Sequence, residues 1–201
     1  EPAVDAPASC CARQILGNFR AFEDVMKFGL DKDLITVEIE EVNLEALKQL
    51  KSLGKKVFPD PDSLALIQDK GLQKLFYREN NFATADFILI DNKDEIIYLL
   101  AENKIKYPFV QKLRKAGYDG RGVQLIWNET DLIKLFSEPS VIEHKIDIKK
   151  ELAVIAARNS SGQVVTYDPV EMVFHPTANL LLYQECPSTL NNLQVEKAKN
   201  L

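Results

Sequence analysis

Sulfur and imidazole are scarce in this chain. The cysteines, Cys10, Cys11 and Cys186, are three in number, two of them adjacent, and no CxxC spacing occurs. That argues against a disulfide framework and against a zinc-binding cysteine motif, and it favours a reducing, cytoplasmic setting. The two histidines, His144 and His175, are too few and too far apart for a histidine-rich metal site. Long apolar runs are also missing. "LAVIAA" at 152–157 is among the longest and falls far short of a bilayer span. Excess positive charge is absent as well: the net charge is −5, which argues against a general nucleic-acid binder. No internal repeat or low-complexity segment interrupts the 201 residues.

What is present reads as an ordinary globular chain, 46% apolar and 27% charged. Phe19–Leu30 carries apolar residues at helical spacing. Leu34–Glu40, "LITVEIE", alternates strictly, with Ile35, Val37 and Ile39 on one face and Thr36, Glu38 and Glu40 on the other, which predicts a strand. Asn43 is placed to cap a helix that Gly54 ends, and "KVFP" is a short strand closed by Pro59. Helix, strand, helix, strand is the rhythm of a doubly wound α/β layer, here only its tail.

After "PDPDS" at 59–63 the rhythm changes. A helical stretch interrupted near Gly71 leads to "ADFILI" as a strand, "KDEIIYLLAEN" as a helix and "YPFVQK" as a strand. "GVQLIW" is the next strand, "ETDLIKLF" a helix capped by Asn128, and "SVIEHKI" a strand. "ELAVIAARN" and "QVVTYDPVEMVF" form a long hairpin about "SSG"; "NLLLYQE" is a strand, and the last residues are helical. This second part predicts an α+β unit with antiparallel pairs. Glu1 is not a methionine, no signal-peptide pattern follows it, and the helix that reaches Leu201 has no closing Gly or Pro. Both ends are therefore expected to be cut from something longer.

The stretch "KAGYDGRG" at 115–122 has three glycines in six residues. It is not a Walker loop, since GxxxxGK[ST] is absent. It is not the dinucleotide fingerprint, since Leu125 stands where the third glycine belongs. Glycines let successive backbone N–H groups cradle an oxyanion, and Lys112, Arg114, Lys115 and Arg121 bring positive charge to the same ten residues. An anion cradle and a mobile hairpin tip with solvated charges both fit. Glu38 and Glu40 read as a solvated strand face or as ligand contacts at the carboxyl end of a strand. Glu143 and Glu151 read as edge charges or as contacts to ligand hydroxyls, and His175 reads as a structural histidine.

Five segments, "LITVEIEEVN", "LIQDKGLQK", "YPFVQKLRKAGYDGRG", "VIEHKIDIKKELAVIAARNSSGQVV" and "YDPVEMVFH", together resemble the N5-carboxyaminoimidazole ribonucleotide synthases, in order and in spacing. These enzymes are also called ATPase subunits of phosphoribosylaminoimidazole carboxylase and belong to the ATP-grasp superfamily. The resemblance covers essentially the whole chain. It implies an α/β and α+β chain: an ATP-grasp fold preceded by the tail of a doubly wound pre-ATP-grasp domain. It implies boundaries at 1–62 for that tail, 63–149 for the small lid subdomain with its linker helix, and 150–201 for the start of the large subdomain. The implied activity is a ligase step of purine biosynthesis, named a lyase in older usage. ATP, bicarbonate and 5-aminoimidazole ribonucleotide give the N5-carboxy product through carboxyphosphate, with Mg²⁺ on the phosphates. A homodimer with no nucleic-acid or membrane partner is implied.

The resemblance also implies residues. Lys112 meets the phosphates, and Gly117, Tyr118, Asp119, Gly120, Arg121, Gly122 and Val123 form the flap over them. Glu143, His144, Lys145 and Ile146 form the hinge that reads adenine. Glu151 takes the ribose hydroxyls, and His175 and Lys70 lie near the nucleotide. Glu38 faces the ribonucleotide, and Tyr118 and Arg121 stand over ribonucleotide and bicarbonate as the catalytic pair. Two departures, Gln111 and Val123, flank this region where the family carries an apolar and a polar residue. A GGGQLGR-like turn is expected before Glu1 and the Mg²⁺ carboxylates beyond Leu201, so that the 201 residues alone are expected to be incomplete for turnover. The alternatives are another ATP-grasp ligase, such as the formate-dependent glycinamide ribonucleotide transformylase, or a truncated, non-catalytic nucleotide-binding module.

Overall fold

A computed structural model describes residues 1–115, 117, 122–175 and 180–201. The chain divides into two compact units, Glu1–Phe76 and Tyr77–Leu201.

In the first unit a 3-10 turn (Pro7–Cys10) precedes α1 (Phe22–Gly29). There follow β1 (Leu34–Thr36), α2 (Leu44–Ser52), β2 (Lys56–Phe58) and α3 (Pro61–Gln68). β1 and β2 pair in parallel, as a helix-linked strand pair requires. Both ends of α2 are set locally. The Asn43 side chain accepts from the Ala46 N–H. At the other end Gly54, at φ +84°, lets its own N–H reach the Lys51 carbonyl and the Lys55 N–H reach the Leu50 carbonyl. Val25, Met26, Ile35, Leu47, Leu50 and Val57 are buried together as the core of this unit. Gly29 is where α1 meets α2, and a Cβ there would lie 2.4 Å from Leu50 Cδ1.

The strand expected over Leu34–Glu40 is only three residues long. Its partner β2 stops at Phe58, and Pro59 has no N–H to extend the ladder. Val37 still donates to the Phe58 carbonyl, but Glu38 and Glu40 lie beyond the strand, and Ile39 is exposed instead of lining the core. The helix break falls at Asp69, between α3 and α4 (Lys70–Glu79), near Gly71 as expected. The Asp69 carboxylate accepts from the N–H groups of Gly71 and Leu72 and so starts α4.

The second unit opens with β3 (Phe87–Ile90) and α5 (Lys93–Ala101), the latter capped by Asn92. β4 (Phe109–Leu113), β5 (Val123–Ile126), a 3-10 helix (Glu129–Lys134) and β6 (Ser140–His144) follow. These four strands form an antiparallel sheet in the order β3-β6-β4-β5. Strand alternation and register put Ile88, Ile90, Phe109, Ile126 and Ile142 on one face, where they pack with Ile96, Leu99 and Leu132. The other face carries Phe87, Val110, Lys112, Val141 and Glu143.

Asn128 caps its helix as expected, but the helix is 3-10 and ends at Lys134. Gln111 is the reason it goes no further. Its side chain, fully buried, donates to the Phe136 carbonyl (3.0 Å) and Ser140 Oγ (3.0 Å) and accepts from the Phe136 N–H (2.9 Å). The backbone groups of Phe136 that a longer helix would have used are thereby taken.

β7 (Glu151–Ala153), β8 (Ala156–Arg158), β9 (Val164–Thr166), β10 (Val170–Phe174) and β11 (Leu181–Glu185) complete the strands, and α6 (Asn192–Lys199) follows with a capping box at Asn191. The long hairpin forms, as β8 on β9 and, further out, β7 on β10. The bond from the Tyr167 N–H to the Ile155 carbonyl joins the two segments. β11 adds to β10, giving the order β11-β10-β7.

Candidate nucleotide site

Lys112 and Glu143 meet on the face of the four-stranded sheet opposite α5. Val110 is registered with Glu143 and Lys112 with Val141, so the two charged residues are diagonal neighbours on adjacent strands. Lys112 Nζ donates to Glu143 Oε2 at 2.6 Å. The Glu143 side chain is 7% exposed and that of Lys112 32%. A carboxylate so far from water needs a cation, and removing one partner of such a pair costs about 3–5 kcal/mol. The pair is thus a poor source of stability but a good way to hold an ammonium in one place. Lys112 keeps enough exposure for its remaining N–H groups to meet an incoming anion.

The glycine-rich loop rises from the same strand. The Leu113 N–H donates to the Gly122 carbonyl at 2.8 Å, closing the base of the loop. Gly122 has φ +78°, and a Cβ on it would sit 3.0 Å from Gly117 Cα and 3.2 Å from Leu113 Cδ1. Gly122 is therefore favoured where the two limbs of the loop pass each other. Tyr118, Asp119, Gly120 and Arg121 lie outside the described residues. Val123 begins β5, opposite Lys112.

The expected hinge divides at His144. β6 ends there, two residues short of "SVIEHKI", because β4 begins at Phe109 after Pro108, which has no N–H to continue the ladder. His144 and Ile146 are exposed. The Lys145 ammonium bonds Asp147 at 2.8 Å and stands 5.4 Å from the centre of the Trp127 ring. Glu151 is half-buried at the start of β7, opposite Met172. His175 is exposed just past β10, its N–H bonded to the Leu180 carbonyl. It does not have the burial of a structural core histidine.

Beside Glu151 lies a cluster that sequence reasoning missed. Lys150 Nζ bonds both carboxylate oxygens of Glu171, at 2.9 and 2.8 Å, and also Thr189 Oγ1, which itself donates to Glu171 at 2.7 Å. The hydrogen bonds from Lys150 and then Thr189 hold the Glu171 carboxyl below its ordinary range. Trp127 was missed too, and Gln111 was noted only as a departure from the family's apolar residue. A buried glutamine and an exposed tryptophan carry no motif, and only their partners give them a role.

In the first unit Glu38 is exposed and lines a groove of about 670 Å³ with Arg13, Phe19, Lys27 and Thr36. Lys70 is half-buried in the first turn of α4. A smaller recess of about 300 Å³ in the second unit is lined by Ile88, Lys106, Phe109, Ile142 and His144. Phe87 and Glu143 line it as well, so this recess reaches the partner of Lys112. Among the described residues no group of three or more His, Cys, Asp or Glu side chains is placed to hold a metal ion. No helix among them is long and apolar enough to cross a membrane.

The ATP-grasp domain model matches residues 75–201, and the ribonucleotide synthetase preATP-grasp domain model matches residues 1–68. The chain belongs to the ATP-grasp family. This ATP-grasp chain is 33% identical to phosphoribosylaminoimidazole carboxylase of Candida glabrata over 98% of its own length and 36% of that protein. It is 32% identical to N5-carboxyaminoimidazole ribonucleotide synthase of Brucella melitensis, over 86% of its own length and 49% of that protein. It spans about a third to a half of the length of these curated relatives. Among solved structures, carboxyaminoimidazole ribonucleotide synthase of Aspergillus clavatus complexed with ATP superposes with a TM-score of 0.89 at 25% identity. It covers 98% of this chain and 53% of that one. N5-carboxyaminoimidazole ribonucleotide synthetase of Thermotoga maritima gives 0.83 at 29% identity, over 99% of this chain and 51% of that one. The fold is thus an ATP-grasp fold preceded by a pre-ATP-grasp domain.

Proposed function

We propose that this chain carries the ATP side of an enzyme that makes N5-carboxyaminoimidazole ribonucleotide from 5-aminoimidazole ribonucleotide, bicarbonate and ATP. The observation that carries the reading is Lys112, held by the buried Glu143 at the foot of a glycine-waisted loop. The relatives named for this activity, and the ATP-bound relative from Aspergillus clavatus, support it.

In this reading a bicarbonate oxygen attacks the γ-phosphorus of ATP and ADP leaves. The amine nitrogen of the ribonucleotide then attacks the carboxyl carbon of carboxyphosphate, and phosphate leaves. The protein's part is mostly placement of charge and exclusion of water. Lys112, still held by Glu143, turns its remaining N–H groups to the phosphates and offsets their charge. The loop from Gly117 to Val123 closes over them and keeps water from the acyl phosphate, with Tyr118 and Arg121 facing the second substrate. The backbone of Glu143 to Ile146 reads adenine, Glu151 accepts from the ribose hydroxyls, and His175 and Lys70 lie near the nucleotide. Glu38, at its groove, faces the ribonucleotide. Magnesium belongs to this chemistry, and among the described residues no group of three or more His, Cys, Asp or Glu side chains is placed to hold it. A cytoplasmic homodimer, ligase by reaction and lyase by older name, is part of the same proposal.

In the full-length protein, Lys112→Ala is expected to lower ADP release dependent on both bicarbonate and aminoimidazole ribonucleotide by at least about a hundredfold, as the loss of a positioned phosphate charge should. The far-ultraviolet circular dichroism should be unchanged. Full activity in that variant, or ADP release that ignores the ribonucleotide, would overturn the assignment.

A further inference from the structure

The ladder that orders the four-stranded sheet stops one residue before Lys145. His144, Phe109 and Ile126 form its last row, side by side across β6, β4 and β5. Beyond that row β6 continues as Lys145 and β5 as Trp127, while β4 has no residue between them that can extend the ladder, since Pro108 lacks an N–H. The two backbones are there two strand spacings apart, about 9.6 Å. A lysine and an indole bridge that gap, with the ammonium 5.4 Å from the ring centre.

Both partners are held from outside. The Trp127 N–H donates to Asp131 Oδ2 at 2.9 Å, and Asp131 also takes a bond from Lys134 at 2.7 Å. The Lys145 ammonium takes Asp147 as its carboxylate partner, and its side chain is only 24% exposed although Asp147 is almost fully so. The ring and the stem of the lysine shield each other. Trp127 is thus a lateral support for Lys145, the first residue to leave β6.

We propose that Trp127 is a positioning residue for adenosine recognition: its indole holds Lys145 and so sets the backbone of Lys145 and Ile146 against which the base is read. The proposal rests on the nucleotide reading above and deepens it. It separates two jobs. Lys112 holds phosphate whatever the base, while the pair of Trp127 and Lys145 acts on the base alone.

That separation is testable by titration calorimetry with two probes, ATP and inorganic tripolyphosphate. Trp127→Leu and Lys145→Gln are each expected to weaken ATP binding about two- to fivefold, the size of a partly exposed cation–aromatic contact, and to leave tripolyphosphate binding unchanged. Trp127→Tyr, which keeps an aromatic face, should restore most of the loss. Trp127 is the single tryptophan of the sequence, so its emission should shift with ATP and not with tripolyphosphate. Should Trp127→Leu fold poorly, Lys145→Gln carries the same test from the other side of the contact. Equal losses for both probes, or no loss for ATP in the folded variants, overturns the role of Trp127 alone. A parent chain that does not bind ATP overturns the nucleotide reading and this inference with it.

Discussion

The two larger sheets described in the second unit differ in how they are held. The four-stranded sheet β3-β6-β4-β5 closes a core of its own: Phe109, Ile126 and Ile142 are at most 2% exposed, and even Gln111 is fully buried with all its bonds made inside. In β11 every residue is exposed, and Leu182 and Tyr183 show more than half their surface. The apolar content of the two segments is similar, and the strand signal is as strong in "NLLLYQE" as in "YPFVQK". What differs is the covering layer. The β3-β6-β4-β5 sheet packs on α5 and the 3-10 helix, whereas around β10 the described contacts include a polar clamp of Lys150, Glu171 and Thr189. A strand pattern names a surface to be covered; it does not supply the cover.

Substitution can break that comparison. Phe109→Ala removes a ring stacked on Tyr107 from a closed core and is expected to cost about 3–5 kcal/mol in urea unfolding. Leu182→Ala should stay within about 0.5 kcal/mol, as an exposed site does. Equal costs would mean that β11 is covered in solution and that the contrast is false. Next in size, Gln111→Leu leaves both backbone groups of Phe136 and the Ser140 hydroxyl short of a buried partner. A loss of about 2–3 kcal/mol is expected, although leucine is the more apolar residue. A stabilised variant would show that the buried amide is dispensable.

The smallest effect belongs to the clamp. The folded pKa of Glu171 is lowered, so its contribution is present above the unfolded value of 4.5 and fades as pH falls through the folded value. Glu171→Gln should therefore narrow the gap to the parent chain below about pH 4.5 and leave a small, salt-sensitive loss at neutral pH. A loss that grew on acidification would have the wrong sign and remove the clamp from the account.

Much of the local structure was legible in advance. Asn43 and Asn128 cap because a short side chain reaches an N–H two or three residues on, a matter of neighbours alone. Gly54 ends α2 for the same local reason. The candidate site was legible in a different way. Its segments carry a family resemblance that no single residue carries, and the two domain models matched to the chain bear out the ATP-grasp reading. The length of β1 was not legible, since alternation continues to Glu40 while the partner strand ends at Phe58. Nor was the division of Glu143 from its hinge neighbours, since periodicity does not show that its carboxylate turns inwards to Lys112.

By itself, then, the sequence determined the order of elements, their caps and turns, and the family to which the chain belongs, because each of these depends on residues close together or on a pattern read in order. Tertiary structure alone decided that Lys112 rests on Glu143, thirty-one positions away. It alone decided that Gln111 pins Phe136 and that Trp127 meets Lys145 across the end of β4. Those contacts depend on strand register, and register is set only when whole faces compete for burial.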